Sequence, residues 1–127
     1  MRRVAITGMG VVSSIGANVA EVTRALKEAR SGVTFAPEFA ELGFRCQVYA
    51  RPSVNVETAL DRRTRRFMGE GAAWNYIAMK EAIDDARLSP DEISHPMTGI
   101  IMGSGGPSTA AIVEAADVTR ENKNTKR

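Results

Sequence analysis

Thr98-Gly99-Ile100-Ile101-Met102-Gly103-Ser104-Gly105-Gly106-Pro107-Ser108 is the stretch whose reading decides the fold. Its front half, Gly99 to Met102, is a short uncharged apolar run, as expected of a strand covered on both faces. Its back half is a turn. Gly103, Gly105 and Gly106 are free to take positive φ, and Pro107 with Ser108 offers a helix start, so a buried strand should run directly into a helix. Backbone amides at the carboxyl end of such a strand, next to a helix N-terminus, are where α/β proteins bind ligands.

Working outward, Arg3-Val4-Ala5-Ile6-Thr7 reads as a second buried strand, bounded by Gly8 and Gly10 and entering a loop that lasts to Gly16. Asn18 with Glu21 three positions on is a capping-box-like start, followed by Val19, Val22, Leu26 and Ala29 at helical spacing and by Gly32 as a stop. Strand, glycine loop and helix in that order call for a test against the dinucleotide fingerprint. The test fails, because Ser13 occupies the third glycine position and no acidic residue follows a second strand at the required distance.

Residues 31–59 default to loop, with a short helix at Pro37 to Leu42 and a short strand at Arg45 to Tyr49 as the elements to look for. From Asp61, the recurrence of Ala72, Tyr76, Met79, Ile83 and Ala86 predicts an amphipathic helix running to about Arg87. Gly69 and Gly71 inside it lower helix propensity, so close packing against a neighbouring backbone is the expected reason for them. Ser89-Pro90-Asp91-Glu92 is another helix start, of one or two turns, and Thr109 to about Arg120 forms the last helix. The whole of 1–127 reads as one domain or a piece of one, of α/β class.

Composition narrows the function. The 127 residues are 43% apolar and 25% charged, and 17 Lys+Arg against 15 Asp+Glu leave a net charge of +2. No apolar stretch is long and uninterrupted enough to cross a bilayer, and the expected location is the cytoplasm. One cysteine, Cys46, forms no internal disulfide, and one histidine, His95, leaves no His/Cys pair for a metal. Cys46 is expected to be a partly buried structural thiol and His95 a solvated loop residue. Ser104 and Ser108 lack the G-x-S-x-G and P-loop contexts that would make them chemical, and read as turn serines. Trp74 and Tyr76 read as core or interface aromatics. Arg62, Arg63, Arg65 and Arg66 fall within five residues and are either a solvated helix start or an electrostatic seat for an acidic partner. Two rival readings have less support. A small non-catalytic module binding a phosphorylated ligand at Gly103 to Ser108 lacks the Rossmann and P-loop signatures. Nucleic-acid binding through the arginines lacks interleaved aromatics and a strong net charge.

Four motifs in order carry a resemblance over the full chain: Val4-Ala5-Ile6-Thr7-Gly8-Met9-Gly10-Val11-Val12-Ser13-Ser14-Ile15-Gly16, Arg30-Ser31-Gly32-Val33, Asp61-Arg62-Arg63 with Arg66-Phe67-Met68, and Gly103-Ser104-Gly105-Gly106. Together they resemble the amino-terminal part of β-ketoacyl-acyl-carrier-protein synthases, most closely the type I elongating enzymes of bacterial fatty acid synthesis. The resemblance implies a partial thiolase-like fold, the amino-terminal portion of the first α/β half, within an enzyme that works as a homodimer. It implies an acyltransferase without cofactor or metal, which condenses malonyl-carrier protein with an acyl thioester on a cysteine nucleophile beside two histidines. Those three residues lie beyond Arg127 in the family, and neither Cys46 nor His95 matches them. The chain is thus expected to be a truncated member, a fragment or a piece of a cleaved protein, without condensing activity of its own. Gly106 matches the glycine at the floor of the acyl pocket, so Gly105 and Gly106 are the substrate-binding candidates. Arg62, Arg63 and Arg66, with Lys123 and Lys126, match basic positions where the acidic acyl carrier protein docks. Arg65 departs from the commoner apolar residue there. No nucleic-acid or membrane partner is implied.

Overall fold

The computed structural model describes residues 3–123, so Lys126 lies outside the described residues. Seven helices and one two-stranded ribbon are formed among them: α1 (Val19–Lys27), β1 (Thr34–Phe35), α2 (Pro37–Glu41), β2 (Val48–Tyr49), α3 (Val56–Ala59), α4 (Arg62–Arg65), α5 (Glu70–Ala86), α6 (Pro90–Ile93) and α7 (Thr109–Asn122). This is a mixed, partial α/β arrangement.

Local capping explains most helix starts. The Asn18 side chain accepts from the Glu21 amide at 2.9 Å to open α1. Ser89 and Glu92 form a reciprocal capping box on α6, and Ser108 accepts from the Ala111 amide at 3.3 Å to open α7. α1 ends before Gly32, the expected stop. Glu28 is its C-cap, and Ala29 takes φ 52°, a left-handed residue placed where glycine is usual.

The ribbon pairs antiparallel, with Thr34 opposite Tyr49 and Phe35 opposite Val48, and its ladder is continued by the Ala36 amide donating to the Gln47 carbonyl at 2.8 Å. α2 is held on it by aromatic edges, Phe39 lying 5.4 Å from Phe44 and 6.2 Å from Tyr49, centroid to centroid.

Two expectations are corrected. The segments Arg3–Thr7 and Gly99–Met102 are not strands. No strand among the described residues lies alongside either, and an extended segment without a neighbour cannot satisfy its amides in a ladder. Their side chains are correspondingly bare: Val4 is 94% and Ile101 100% exposed. The single helix expected from Asp61 onward is also broken, into α4 and α5. Gly69 has extended backbone (φ −70°, ψ 162°) and is the N-cap of α5 rather than an interior residue. A Cβ on Gly69 would lie 2.9 Å from the Ser108 Cβ, so this glycine lets the start of α5 approach the start of α7. Gly71 meets nothing within 4 Å, and close packing does not account for it.

Among the described residues the buried ones are few and mostly small: Gly16, Ala25, Ala36 and Ala73, with Leu60 at the margin. α5 is the element on which the amino-terminal loop rests. A Cβ on Gly8 would fall 2.3 Å from the Ala82 carbonyl oxygen, and one on Gly10 1.8 Å from that of Ala78, so glycine is required at both points of contact. Loop amides then reach acidic side chains of α5. Glu81 accepts from Val11 (2.9 Å) with one carboxylate oxygen and from Val19 (2.8 Å) with the other, while Asp85 accepts from Met9 (3.0 Å).

Candidate functional site: a basic concavity and a glycine loop

Asp61 sets the geometry of the arginine cluster. Its Oδ1 accepts from the amides of Arg63 and Thr64, each at 2.9 Å, which fixes the start of α4 and the direction in which the following side chains leave the backbone. Hydrogen bonding from Thr64, side chain first, holds the Asp61 carboxyl below its ordinary range. The four arginines then divide. Arg65 turns toward α3 and donates to Glu57 at 3.1 Å. Arg62, Arg63 and Arg66 line a common concavity of about 540 Å³ on the exposed side. Arg66 also stacks over the Phe67 ring, 5.0 Å from its centroid. Arg65 thus contacts α3, while its three neighbours share one positive surface. Glu57 had no sequence signal, since eight residues separate it from Arg65.

Lys123 is the C-cap of α7, exposed and with φ 47°. It does not line the arginine concavity. Lys126 lies outside the described residues, so the joint basic edge expected from the sequence is seen here only in its three arginines.

The glycine loop borders a second concavity of about 630 Å³, between the start of α5 and the start of α7. Gly106 lines it and Gly105 does not; a Cβ on either would meet nothing within 4 Å. Neither they nor Gly103 adopt positive φ, so the left-handed freedom expected of this turn is not used. Ser104 donates to the Gly106 carbonyl at 2.6 Å and accepts from the Gly106 amide at 3.3 Å, closing the turn on itself. With Ser108 capping α7, both serines are turn residues, as read from the sequence. Trp74 lines the same concavity and is half-buried, with an indole nitrogen that has no hydrogen-bond partner among the described residues, while Tyr76 is 41% exposed.

Of the remaining sequence candidates, Cys46 is exposed rather than partly buried, because it lies beside an edge of the two-stranded ribbon with nothing packed over it; its thiol faces the Val48 carbonyl at 3.7 Å. His95 is an exposed loop residue whose Nδ1 accepts from the Met97 amide at 3.1 Å. Among the described residues, no group of three or more His, Cys, Asp or Glu could hold a metal and no helix is long and apolar enough to cross a membrane.

The described residues thus combine a glycine-dependent amino-terminal loop resting on α5, a second glycine loop beside the start of α7, and three arginines around one concavity. The sequence model described as "Beta-ketoacyl synthase, N-terminal domain" matches residues 1–126, and the chain belongs to this family. It is 41% identical over 126 residues to 3-oxoacyl-[acyl-carrier-protein] synthase 1 of Haemophilus influenzae and 40% identical over 127 residues to that of Escherichia coli strain K12, covering in each case 99% of this chain. A more distant relative, 3-oxoacyl-[acyl-carrier-protein] synthase 2 of Coxiella burnetii, is 31% identical over 109 residues, 82% of this chain. The chain spans 31% of the length of the two synthase 1 relatives and 25% of the Coxiella protein.

Proposed function

We propose that the chain is the amino-terminal segment of a 3-oxoacyl-acyl-carrier-protein synthase with a thiolase-like fold, and that it supplies a docking surface for acyl carrier protein and part of the wall of the acyl pocket. The observation that carries this reading is the division of the arginines. Arg62, Arg63 and Arg66 converge on one concavity while Arg65 is spent on Glu57, which favours a seat for an acidic partner over a uniformly solvated helix. Lys123 and Lys126 extend that seat in the assembled enzyme. Gly105 and Gly106 contribute the pocket wall, where the absence of side chains leaves room for an acyl chain. The condensing chemistry belongs to the intact, homodimeric enzyme: acyl transfer to a cysteine thiolate, decarboxylation of the malonyl thioester and carbon-carbon bond formation. This segment has one cysteine and one histidine, both in exposed connections, and it is inactive by itself.

The test is charge reversal in a synthase carrying this segment. Arg62→Glu with Arg66→Glu should raise the KM for acyl-carrier protein while leaving turnover of a small thioester analogue nearly unchanged, since only carrier binding is lost. Equal slowing of both substrates would overturn the docking assignment.

A further inference from the structure

A third concavity, of about 600 Å³, lies apart from both surfaces described above, between the 14–16 loop, α1, the β1–β2 ribbon and the turn that follows β2. Its charged lining consists of Arg24, Arg30, Arg51 and Glu21, three cations against one anion. The hydroxyl-bearing residues Ser14, Ser31, Thr34, Tyr49 and Ser53 line the same space. Four separate pieces of chain thus bring cationic and hydroxyl-bearing residues together, although no run of basic residues in the sequence marks the place.

The walls are built to hold that shape. A Cβ on Gly32 would lie 2.4 Å from the Ser14 carbonyl oxygen, so only glycine lets the 30–32 turn close against the 14–16 loop. Arg30 is drawn across the gap toward the Ile15 carbonyl, 3.5 Å from its guanidinium. Arg51 is paired with Glu70. Arg24 and Arg30 have no carboxylate within ion-pair distance among the described residues, because Glu21 directs its carboxylate to the Ala17 amide at 2.8 Å. Both guanidiniums are still within electrostatic reach of Glu21. Two guanidiniums without a carboxylate partner, beside hydroxyl-bearing residues and a single carboxylate, match a compact oxyanion with several acceptor oxygens; a monocarboxylate brings fewer acceptor oxygens and less charge, and an apolar ligand brings neither.

We propose that this cleft is a binding site for a phosphate dianion, free or as the monoester of a small molecule, held chiefly by Arg24 and Arg30. The site is independent of carrier docking and of the acyl pocket.

The test is titration of the 127-residue chain, followed by the backbone amide resonances of Gly16, Ser31, Gly32 and Ser53, with inorganic phosphate, with glycerol 2-phosphate and with acetate at matched ionic strength. Phosphate should give saturable shifts at these amides, and acetate should not. Tighter binding of the ester assigns the site to a phosphorylated small molecule, and equal or weaker binding assigns it to free phosphate. Arg24→Gln with Arg30→Gln should weaken binding by up to about 25-fold, about fivefold for each exposed charge contact at the upper end of what such contacts contribute. Glu21→Gln retains an acceptor for the Ala17 amide while removing the opposing charge, so it should tighten binding a few-fold. The proposal is overturned by equal response to acetate, by shifts centred on Arg62 to Arg66, by unchanged affinity in the arginine variant, or by a Glu21→Gln variant that binds no better than the parent.

Discussion

At the scale of single residues, similar amino acids do different things according to what stands opposite them. Gly10 touches the α5 backbone and Gly71 touches nothing. Gly10→Ala should therefore destabilise the chain by about 1–3 kcal/mol, the usual cost of forcing a methyl into filled space, because the opposing atom is a helix carbonyl that cannot move aside. Gly71→Ala should instead stabilise it by about 0.5 kcal/mol through helix propensity. Urea unfolding of both variants checks the pair, and equal effects would contradict the contact assigned to Gly10. Gly106 belongs to a third kind, bordering open space in a concavity. In a synthase carrying this segment, Gly106→Ile should slow turnover of long acyl chains more than short ones, as measured with a chain-length series of acyl-carrier substrates. An equal effect on both would make the loop a turn and nothing more.

At the scale of elements, what could be read from the sequence was what is local. Asn18, Ser89 and Ser108 were legible as helix starts because a cap is a hydrogen bond to an amide three residues on, and the bond is there in each case. The strands expected at Val4 and Ile100 are absent, because apolar composition marks a segment that wants covering and does not supply the neighbour that covers it. The α4–α5 break was hidden because Gly69 answers to Ser108, thirty-nine positions away, and no periodicity reports such a contact. For the same reason the arginine cluster was visible while its partition was not. The acidic caps also predict a pH response. Glu21, Asp61 and Glu92 are held below their ordinary values of 4.5, 3.8 and 4.5, chiefly by hydrogen bonds from the Ala17 amide, the Thr64 hydroxyl and the Ser89 amide respectively. A lowered folded-state value means that the stabilisation is fully present above the ordinary value and is lost as pH falls through the folded one. Fraying at the starts of α1, α4 and α6 should thus begin below about pH 4, seen as faster exchange of the Ala17, Thr64 and Ser89 amides. Exchange that accelerated between pH 7 and 5, with no change at lower pH beyond the intrinsic dependence, would contradict these caps.

At the scale of the whole molecule, the chain carries more apolar surface than its small core can use. Ile6 is 86%, Phe67 88% and Met97 88% exposed, beside the uncovered segments at Val4 and Ile101. Surface of this kind is ordinarily covered by other polypeptide. The 127-residue chain should accordingly associate with itself as concentration rises, and sedimentation velocity should show a mass that grows over the micromolar range; a cooperative, strictly monomeric protein at high concentration would contradict this.

The basic concavity is a different surface, lined by three arginines, and its proposed role as the carrier-protein seat is the central claim. Its most direct test is calorimetric titration of the chain with acyl carrier protein, comparing the parent, Arg62→Glu with Arg66→Glu, and a control with the same charge change elsewhere on the exposed surface, Lys27→Glu with Lys80→Glu. The account predicts binding that weakens as salt rises, is lost in the arginine variant and is largely kept in the lysine variant. Loss of binding to the same extent in both variants, or binding by the arginine variant equal to the parent's, would contradict it.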